Sequence, residues 1–168
     1  MKKPIKTIAI IGGGPSGCAL ATLLNRKGFK VAVFYITKRP EIIVGESLVP
    51  AIIPMLQELG IEDEVKSYST YKPGASVWVS KDEEATSPFS FGQGSIPIYA
   101  YNVPRVKFDK TLFDLAVREG VQFFEHVAQI EKTGKGDELK LSDETIKTIG
   151  DFFNGQPDLI VDATGRSR

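Results

Sequence analysis

The pattern at residues 7–36 constrains the chain most, because a short apolar run, a glycine-rich turn, an amphipathic stretch and a second apolar run follow one another without interruption. Thr7, Ile8, Ala9, Ile10 and Ile11 form a continuous run rich in β-branched residues. Such a run reads as a strand buried on both faces, as in parallel sheets. Gly12, Gly13, Gly14, Pro15, Ser16 and Gly17 follow at once and match G-x-G-x-x-G. Over residues 16–27, Leu20, Ala21, Leu23 and Leu24 give a helix with a broad apolar face, and Gly28 stands where its C-terminal cap belongs. Residues 30–36 supply the second apolar strand, so the chain opens with a βαβ unit.

That context gives each glycine a task. Gly12 permits the tight turn, Gly14 lets backbone approach a pyrophosphate, and Gly17 allows helix and strand to pack closely. Pro15 suits a first helical position and Ser16 can add a hydroxyl. The unpaired N–H groups at the helix start and the helix dipole favour phosphate charge. A glycine-rich turn without ligand is the plainer alternative, and the strand–turn–helix–strand order favours dinucleotide binding over it. The same fingerprint asks for Asp or Glu at the end of the second strand, about 20 residues on, to hold the ribose hydroxyls. Tyr35 stands there instead. Its hydroxyl would hold a ribose more weakly than a carboxylate does, or its ring would pack beside an adenine; the residues leave both open.

Composition narrows the class. With 168 residues, 42% hydrophobic and 25% charged, the chain suffices for one ordinary domain with a sizeable core. Lys+Arg and Asp+Glu both number 21, which leaves no electrostatic footprint for nucleic acid or an anionic membrane surface. No apolar run approaches the roughly 20 residues that span a bilayer. One cysteine excludes an internal disulfide framework, and with one histidine it falls short of a zinc ligand set, so no metal is expected. Cys18, inside the first helix, reads as a small buried apolar residue, and His126 as a packed or surface side chain. The basic start runs into the glycines with no signal-peptide cleavage pattern, which points to a cytoplasmic location.

Further along, residues 37–50 read as an extended loop carrying Gly45, Glu46 and Ser47. A helix with Ile52, Leu56 and Leu59 at helical spacing follows and closes at Gly60. Antiparallel strands are expected at 76–79 and 98–101, a helix at 109–119 stopped by Gly120, a short strand at 121–124, and a β-meander over 127–149. Residues 158–162 return as a buried parallel strand ending in Ala163, Thr164 and Gly165. The expected fold is α/β, a Rossmann-type domain whose parallel sheet is interrupted by an antiparallel insertion. It falls into residues 1–36 (the βαβ unit), 37–104 (loop, helix and insertion) and 105–168 (helix, meander and final strand).

Two stretches together, residues 11–17 and then Val44, Gly45, Glu46, Ser47, Leu48, Val49 and Pro50, resemble the flavin-dependent halogenases. These belong to the FAD monooxygenases and reductases that include p-hydroxybenzoate hydroxylase and geranylgeranyl reductase. Residues 103–112 are similar to the family's Arg-then-Phe-Asp helix start, Gly120 and Val121 with Glu125, His126 and Val127 to its adenine-side strand, and residues 158–166 to its Asp-Ala-Thr-Gly signature. The resemblance implies FAD as cofactor, held by Gly12, Gly14, Pro15, Ser16, Gly17 and Tyr35, with the backbone of Val127 near adenine and Thr164 and Gly165 at a close backbone approach. It implies that Glu46 and Ser47 lie along the flavin, Ser47 as a helix cap being the plainer alternative. Arg105 would meet the flavin ring or its ribityl-phosphate side, unless it is a salt-bridged surface arginine. Lys72, within residues 71–78, matches the lysine that positions or captures hypohalous acid, a solvated lysine being the ordinary reading.

The implied activity is that reduced flavin, oxygen and halide give hypohalous acid for an electron-rich small-molecule substrate, with a separate flavin reductase as partner. An FAD monooxygenase or geranylgeranyl-reductase-like enzyme is the alternative, and a non-catalytic nucleotide-binding fragment a third reading. The family's second FAD motif, a Gly-Asp pair with a nearby proline, and its Trp-x-Trp-x-Ile-Pro stretch have no counterpart before Arg168, three residues past Gly165. A truncated FAD-binding domain is therefore expected, either a fragment or one piece of a split protein whose remainder is a second segment.

Overall fold

The computed structural model describes residues 4–37, 43–81, 83–91, 94, 96–134 and 138–165; residues 38–42 of the expected loop and Arg166 of the expected signature lie outside them. The elements in order are β1 (Thr7–Ile11), α1 (Pro15–Arg26), β2 (Lys30–Tyr35), α2 (Ile53–Leu59), α3 (Glu62–Tyr68), β3 (Thr70–Lys72), β4 (Gly74–Trp78), β5 (Glu84–Pro88) and β6 (Ala100–Asn102). Then come α4 (Arg105–Arg118), β7 (Gln122–Glu125), β8 (Ile130–Lys132), β9 (Leu139–Leu141), α5 (Asp143–Ile149) and β10 (Leu159–Asp162). The chain divides into two units, residues 1–41 with 112–168, and residues 42–111.

The first unit is built on a parallel sheet ordered β10-β1-β2-β7. β1 is central, and its three middle residues are buried because neighbours and layers cover it on every side. That is what an all-apolar strand requires. Gly28 ends α1 in the left-handed region (φ +83°), leading straight into β2. Asp158 ties down the start of the sheet by accepting from the backbone N–H of Lys6 and Thr7 and from the Thr7 hydroxyl. One face of the sheet packs Ala9, Ala32 and Phe34 against Leu141, Ile149 and Phe153, with Phe124 and Phe152 at the margin.

The expected meander is only half a meander. β8 and β9 pair as an antiparallel hairpin, and α5 then takes residues 143–149. The hydroxyl of Ser142 accepts from the backbone N–H of Thr145 at 3.2 Å, and Asp143 and Glu144 occupy the first turn. A serine cap followed by acidic residues starts a helix, and Ile149 on its inner face joins the core, so the short alternation there is a helical period rather than a strand period.

In the second unit a single 3-10 turn (Pro50–Ile52) leads into α2, which closes at Gly60 with φ +72°. α3 follows immediately, with three acidic residues in its first turn and Val65 buried beneath it. The antiparallel strands are β3 with β6 and β4 with β5, two separate pairs rather than one ladder. α4 begins at Arg105 rather than at residue 109, because the Pro104 carbonyl already accepts the first helical bond from Phe108 N–H. Among the described residues, no helix is long and apolar enough to cross a membrane.

Candidate functional site

In the first unit the glycine turn is defined by what it cannot accommodate. Gly12 has φ +120°, and a Cβ on it would lie 2.3 Å from the Ala163 carbonyl oxygen and 2.9 Å from the Thr164 nitrogen. The turn after β1 and the turn after β10 thus touch backbone to backbone, an approach that Ala163 N–H reinforces by donating to Ile11 O at 2.8 Å. A Cβ on Gly17 would lie 1.9 Å from the Gly12 carbonyl oxygen, so α1 sits hard against the turn it follows. Gly14 is the opposite case: nothing lies within 4 Å of where its Cβ would be. It precedes Pro15, the first residue of α1, and helix geometry leaves the Ser16 and Gly17 N–H groups without an intrahelical acceptor. Ser16 is exposed. Open space and oriented donors at a helix N-terminus suit a pyrophosphate.

Thr164 donates from both its N–H (2.9 Å) and its hydroxyl (2.7 Å) to Asp162, which closes the turn, and Gly165 follows with φ +70°. Cys18 is fully buried in α1, its thiol directed at Gly13 O. Tyr35 ends β2 with its Cβ close to Gly13, since a Cβ on that glycine would lie 2.7 Å from it. The Tyr35 ring joins an aromatic cluster, 5.5 Å from Phe113 and 5.8 Å from Phe123 between centroids. Beyond Tyr35, the Thr37 hydroxyl donates to the Glu125 carboxylate at the end of β7. His126 donates its backbone N–H to Tyr35 O at 3.0 Å; its Nε2 is buried with no hydrogen-bond partner among the described residues. Val127 is exposed, directly past the end of β7.

In the second unit, residues distant in sequence converge on β6. Glu46 O accepts from Val103 N–H at 2.8 Å, Leu48 N–H donates to Tyr101 O at 3.0 Å, and Ser47 bridges Asn102. Residues 46–48 are therefore laid along one edge of β6, with β3 on the other. Ser47 does not cap a helix, because the 3-10 turn starts only at Pro50 and its capping residue is Val49. Its hydroxyl instead accepts from Lys72 Nζ at 2.6 Å, and the same ammonium donates to Leu48 O at 3.0 Å and lies 5.3 Å from the Phe89 ring centroid. The Glu46 carboxylate turns back to Gly45 N–H. Arg105 is held by Asp109 one helical turn on (Nε–Oδ1 2.9 Å) and donates Nη1 to Val44 O. A Cβ on Gly45, which has φ +98°, would lie 2.9 Å from that guanidinium, so arginine and glycine fit one another. Arg105 thus fixes the start of the Gly45–Glu46–Ser47 stretch through its backbone.

The same unit holds a cluster the sequence did not announce. One oxygen of Glu62 accepts from Tyr99 Oη (2.6 Å) and Tyr101 Oη (3.2 Å), the other from Gln57 (2.9 Å). Burial alone would raise the Glu62 carboxyl, but those hydrogen bonds and the nearby Lys66 outweigh it and hold it below the ordinary value. Burial and then the carboxylate push the Tyr101 phenol up to about 12, from 10.0. A raised phenol pKa means the folded state keeps its proton longer than the unfolded chain does. The stability from Tyr101 is therefore fully present below pH 10 and lost as pH rises from 10 to 12. Tyr101 is 2% exposed, and a shift of this size corresponds to about 2–3 kcal/mol. Denaturant melts at pH 9.5 and 11.5 should show the unaltered protein losing about 1.7 kcal/mol more stability than Tyr101→Phe, the part of the shift titrated within that window; equal losses would remove Tyr101 as the cause.

Among the described residues, no three His, Cys, Asp or Glu side chains are grouped to hold a metal ion.

Residues 7–98 match the family model described as tryptophan halogenase. The chain is 32% identical over 173 residues to the flavin-dependent halogenase armH4 of Armillaria mellea, covering 98% of this chain and 32% of that protein. It is 28% identical over 169 residues to the tryptophan 2-halogenase of Chondromyces crocatus, covering 99% and 32%. It spans about a third of the length of the curated relatives it matches. Among solved structures it is similar to the flavoprotein/dehydrogenase of Cytophaga hutchinsonii (TM-score 0.69, 32% identity, 95% of this chain and 39% of that one). It is also similar to the myxobacterial chondrochloren halogenase CndH (TM-score 0.70, 25% identity, 99% and 38%). These likenesses agree with the α/β fold expected from the sequence.

Proposed function

The chain belongs to the tryptophan halogenase family, and from that premise we propose that it is the N-terminal, FAD-binding part of a flavin-dependent halogenase. The observation that carries the proposal is the meeting of Lys72 Nζ with Ser47 Oγ at 2.6 Å, which joins two separate motifs inside the matched stretch into one polar site. FAD fits the first unit. Gly12 and Gly17 build the turn, Gly14 leaves open the space a Cβ would fill, and the Ser16 and Gly17 N–H groups, with the Ser16 hydroxyl, would take the pyrophosphate. Thr164 and Gly165 would complete the backbone approach, and Val127, exposed past the end of β7, would meet the adenine. Glu46, Ser47 and Arg105 would serve the flavin end, Arg105 by holding the Val44 carbonyl and with it the loop.

When bound and reduced, FAD supplies two electrons to dioxygen while halide supplies two more, so that one proton is taken up and hypohalous acid and water are released. Lys72 would then receive the hypohalous acid. Two of its three N–H donors are held by Ser47 and Leu48, which fixes where the third points, and a fixed donor aimed at the acid's oxygen orients its halogen for an electron-rich substrate. The reduced flavin would come from a separate reductase, and a single buried cysteine suits a reducing, cytoplasmic setting.

The likeness to the Cytophaga hutchinsonii flavoprotein/dehydrogenase favours a second reading, an oxidoreductase on the same scaffold that does not use halide. The natural protein should be titrated with FAD by absorbance, then given reduced FAD, oxygen and bromide or chloride with an electron-rich aromatic probe. A bound-flavin spectrum and a halogenated product are expected. An oxygenated product independent of halide would replace the halogenase reading with a monooxygenase, and no FAD binding by folded protein would overturn both.

A further inference from the structure

We infer that Glu125, at the end of β7, holds the adenosine ribose of the dinucleotide in place of the acid missing from the end of β2; the inference rests on the FAD reading above. β2 and β7 are parallel neighbours, and their register sets Glu125 directly beside Tyr35. Tyr35 stands where the dinucleotide fingerprint calls for a carboxylate, and its Cβ lies against the glycine turn at Gly13. The Tyr35 ring packs against Phe113 and Phe123, so the side chain at the expected position is committed to apolar packing. Neighbouring strands lie about 4.8 Å apart, a displacement a glutamate side chain spans.

The carboxylate is prepared for such a contact. Glu125 is exposed, and Thr37, two residues past Tyr35, donates its hydroxyl to Glu125 Oε1 and orients the group. One oxygen is engaged in this way, and a carboxylate offers about four lone-pair sites, so Oε2 can accept a ribose hydroxyl. Both residues stand at the carboxyl end of the parallel strands, where open α/β sheets bind their ligands. The carboxylate thus stands one strand outward from the position that the aromatic ring occupies.

The test is FAD affinity in the natural protein, measured by absorbance titration for the unaltered chain and for Glu125→Ala. It is repeated with an FAD analogue whose adenosine ribose is 2′,3′-dideoxy. Loss of a hydrogen bond to a charged acceptor should weaken FAD on the order of tenfold or more in the variant, while the analogue binds both proteins alike. FAD bound by Glu125→Ala as tightly as by the unaltered protein overturns the assignment of Glu125 and leaves the flavin reading standing. Equal losses for FAD and analogue also overturn it, since Glu125 would then act through the fold. If the unaltered protein binds no FAD, the flavin reading fails and the assignment with it.

Discussion

Gly17→Ala should destabilise the first unit by roughly 3 kcal/mol, the upper end of what overpacking costs, and abolish FAD binding with it. The added methyl would lie 1.9 Å from the Gly12 carbonyl oxygen, and that atom is backbone, so no rotamer change relieves the clash. Gly12 in turn meets the Ala163 carbonyl oxygen at 2.3 Å from its own Cβ position, so it cannot retreat without displacing the turn after β10. Either α1 lifts away from β1 or the two turns separate. For a domain of this size the cost corresponds to a fall of about 6–12 °C in Tm. Gly14→Ala is the informative contrast. Its Cβ meets nothing within 4 Å and its φ of −80° suits any residue, so the protein should melt within about 1 kcal/mol of the unaltered chain. The methyl would nonetheless occupy the space proposed for the pyrophosphate, and FAD should bind on the order of tenfold more weakly or worse. An unchanged melt for Gly17→Ala would refute the packing argument. Unchanged FAD affinity in Gly14→Ala would refute the placing of the phosphates.

Those glycines were legible in the sequence because their constraints are local. β1, α1 and β2 fall within a residue of the expected bounds, since each is announced by its own run of residues and by the glycine that ends it. β10 was legible for the same reason, being an apolar run between a proline and a glycine. The misreadings share a cause too. Residues 127–149 read as a meander because short polar–apolar alternation does not separate a strand from a short helix, and the Ser142 cap decides for a helix over residues 143–149. α3 is short and polar, with Val65 its one buried residue, so no apolar face marks it.

The candidate site divides along the same line. Glycines and motif residues could be read in order, but the pairing of residues 46–48 with β6 is made by backbone bonds between segments about fifty residues apart. That pairing brings Ser47 within reach of Lys72. Glu125 could not be read either, because its position beside Tyr35 depends on the β2–β7 register, which no local pattern specifies. The Glu62 cluster is likewise a product of long-range contact, with Tyr99 and Tyr101 arriving from a different segment than Gln57. In each case residue chemistry was visible and proximity was not.

On the proposed role of Lys72, Lys72→Ala should lower halogenation by about 10²–10³, the loss expected when one preorganised donor is removed from a reacting group. FAD affinity should stay within about twofold, because none of the hydrogen bonds of Lys72 goes to a residue proposed to hold the pyrophosphate, and Arg105 still holds the Val44 carbonyl at the start of the loop. The substitution also removes bonds to Ser47 and Leu48 O, so a drop in activity could arise from a loosened loop. Lys72→Met separates the two effects, since it keeps an apolar stem of similar length while deleting the ammonium that lies over Phe89. Both variants should still let bound reduced flavin react with oxygen, consuming the flavin without transferring halogen to the probe. Ser47→Ala keeps the ammonium and its bond to Leu48 O, and should retain part of the halogenation that Lys72→Met loses. Halogenation undiminished in Lys72→Met would take Lys72 out of the chemistry and leave its bond to Ser47 as a fastening of the loop to β3. Halogenation lost together with FAD binding would show that the lysine acts through the loop's shape rather than on the hypohalous acid.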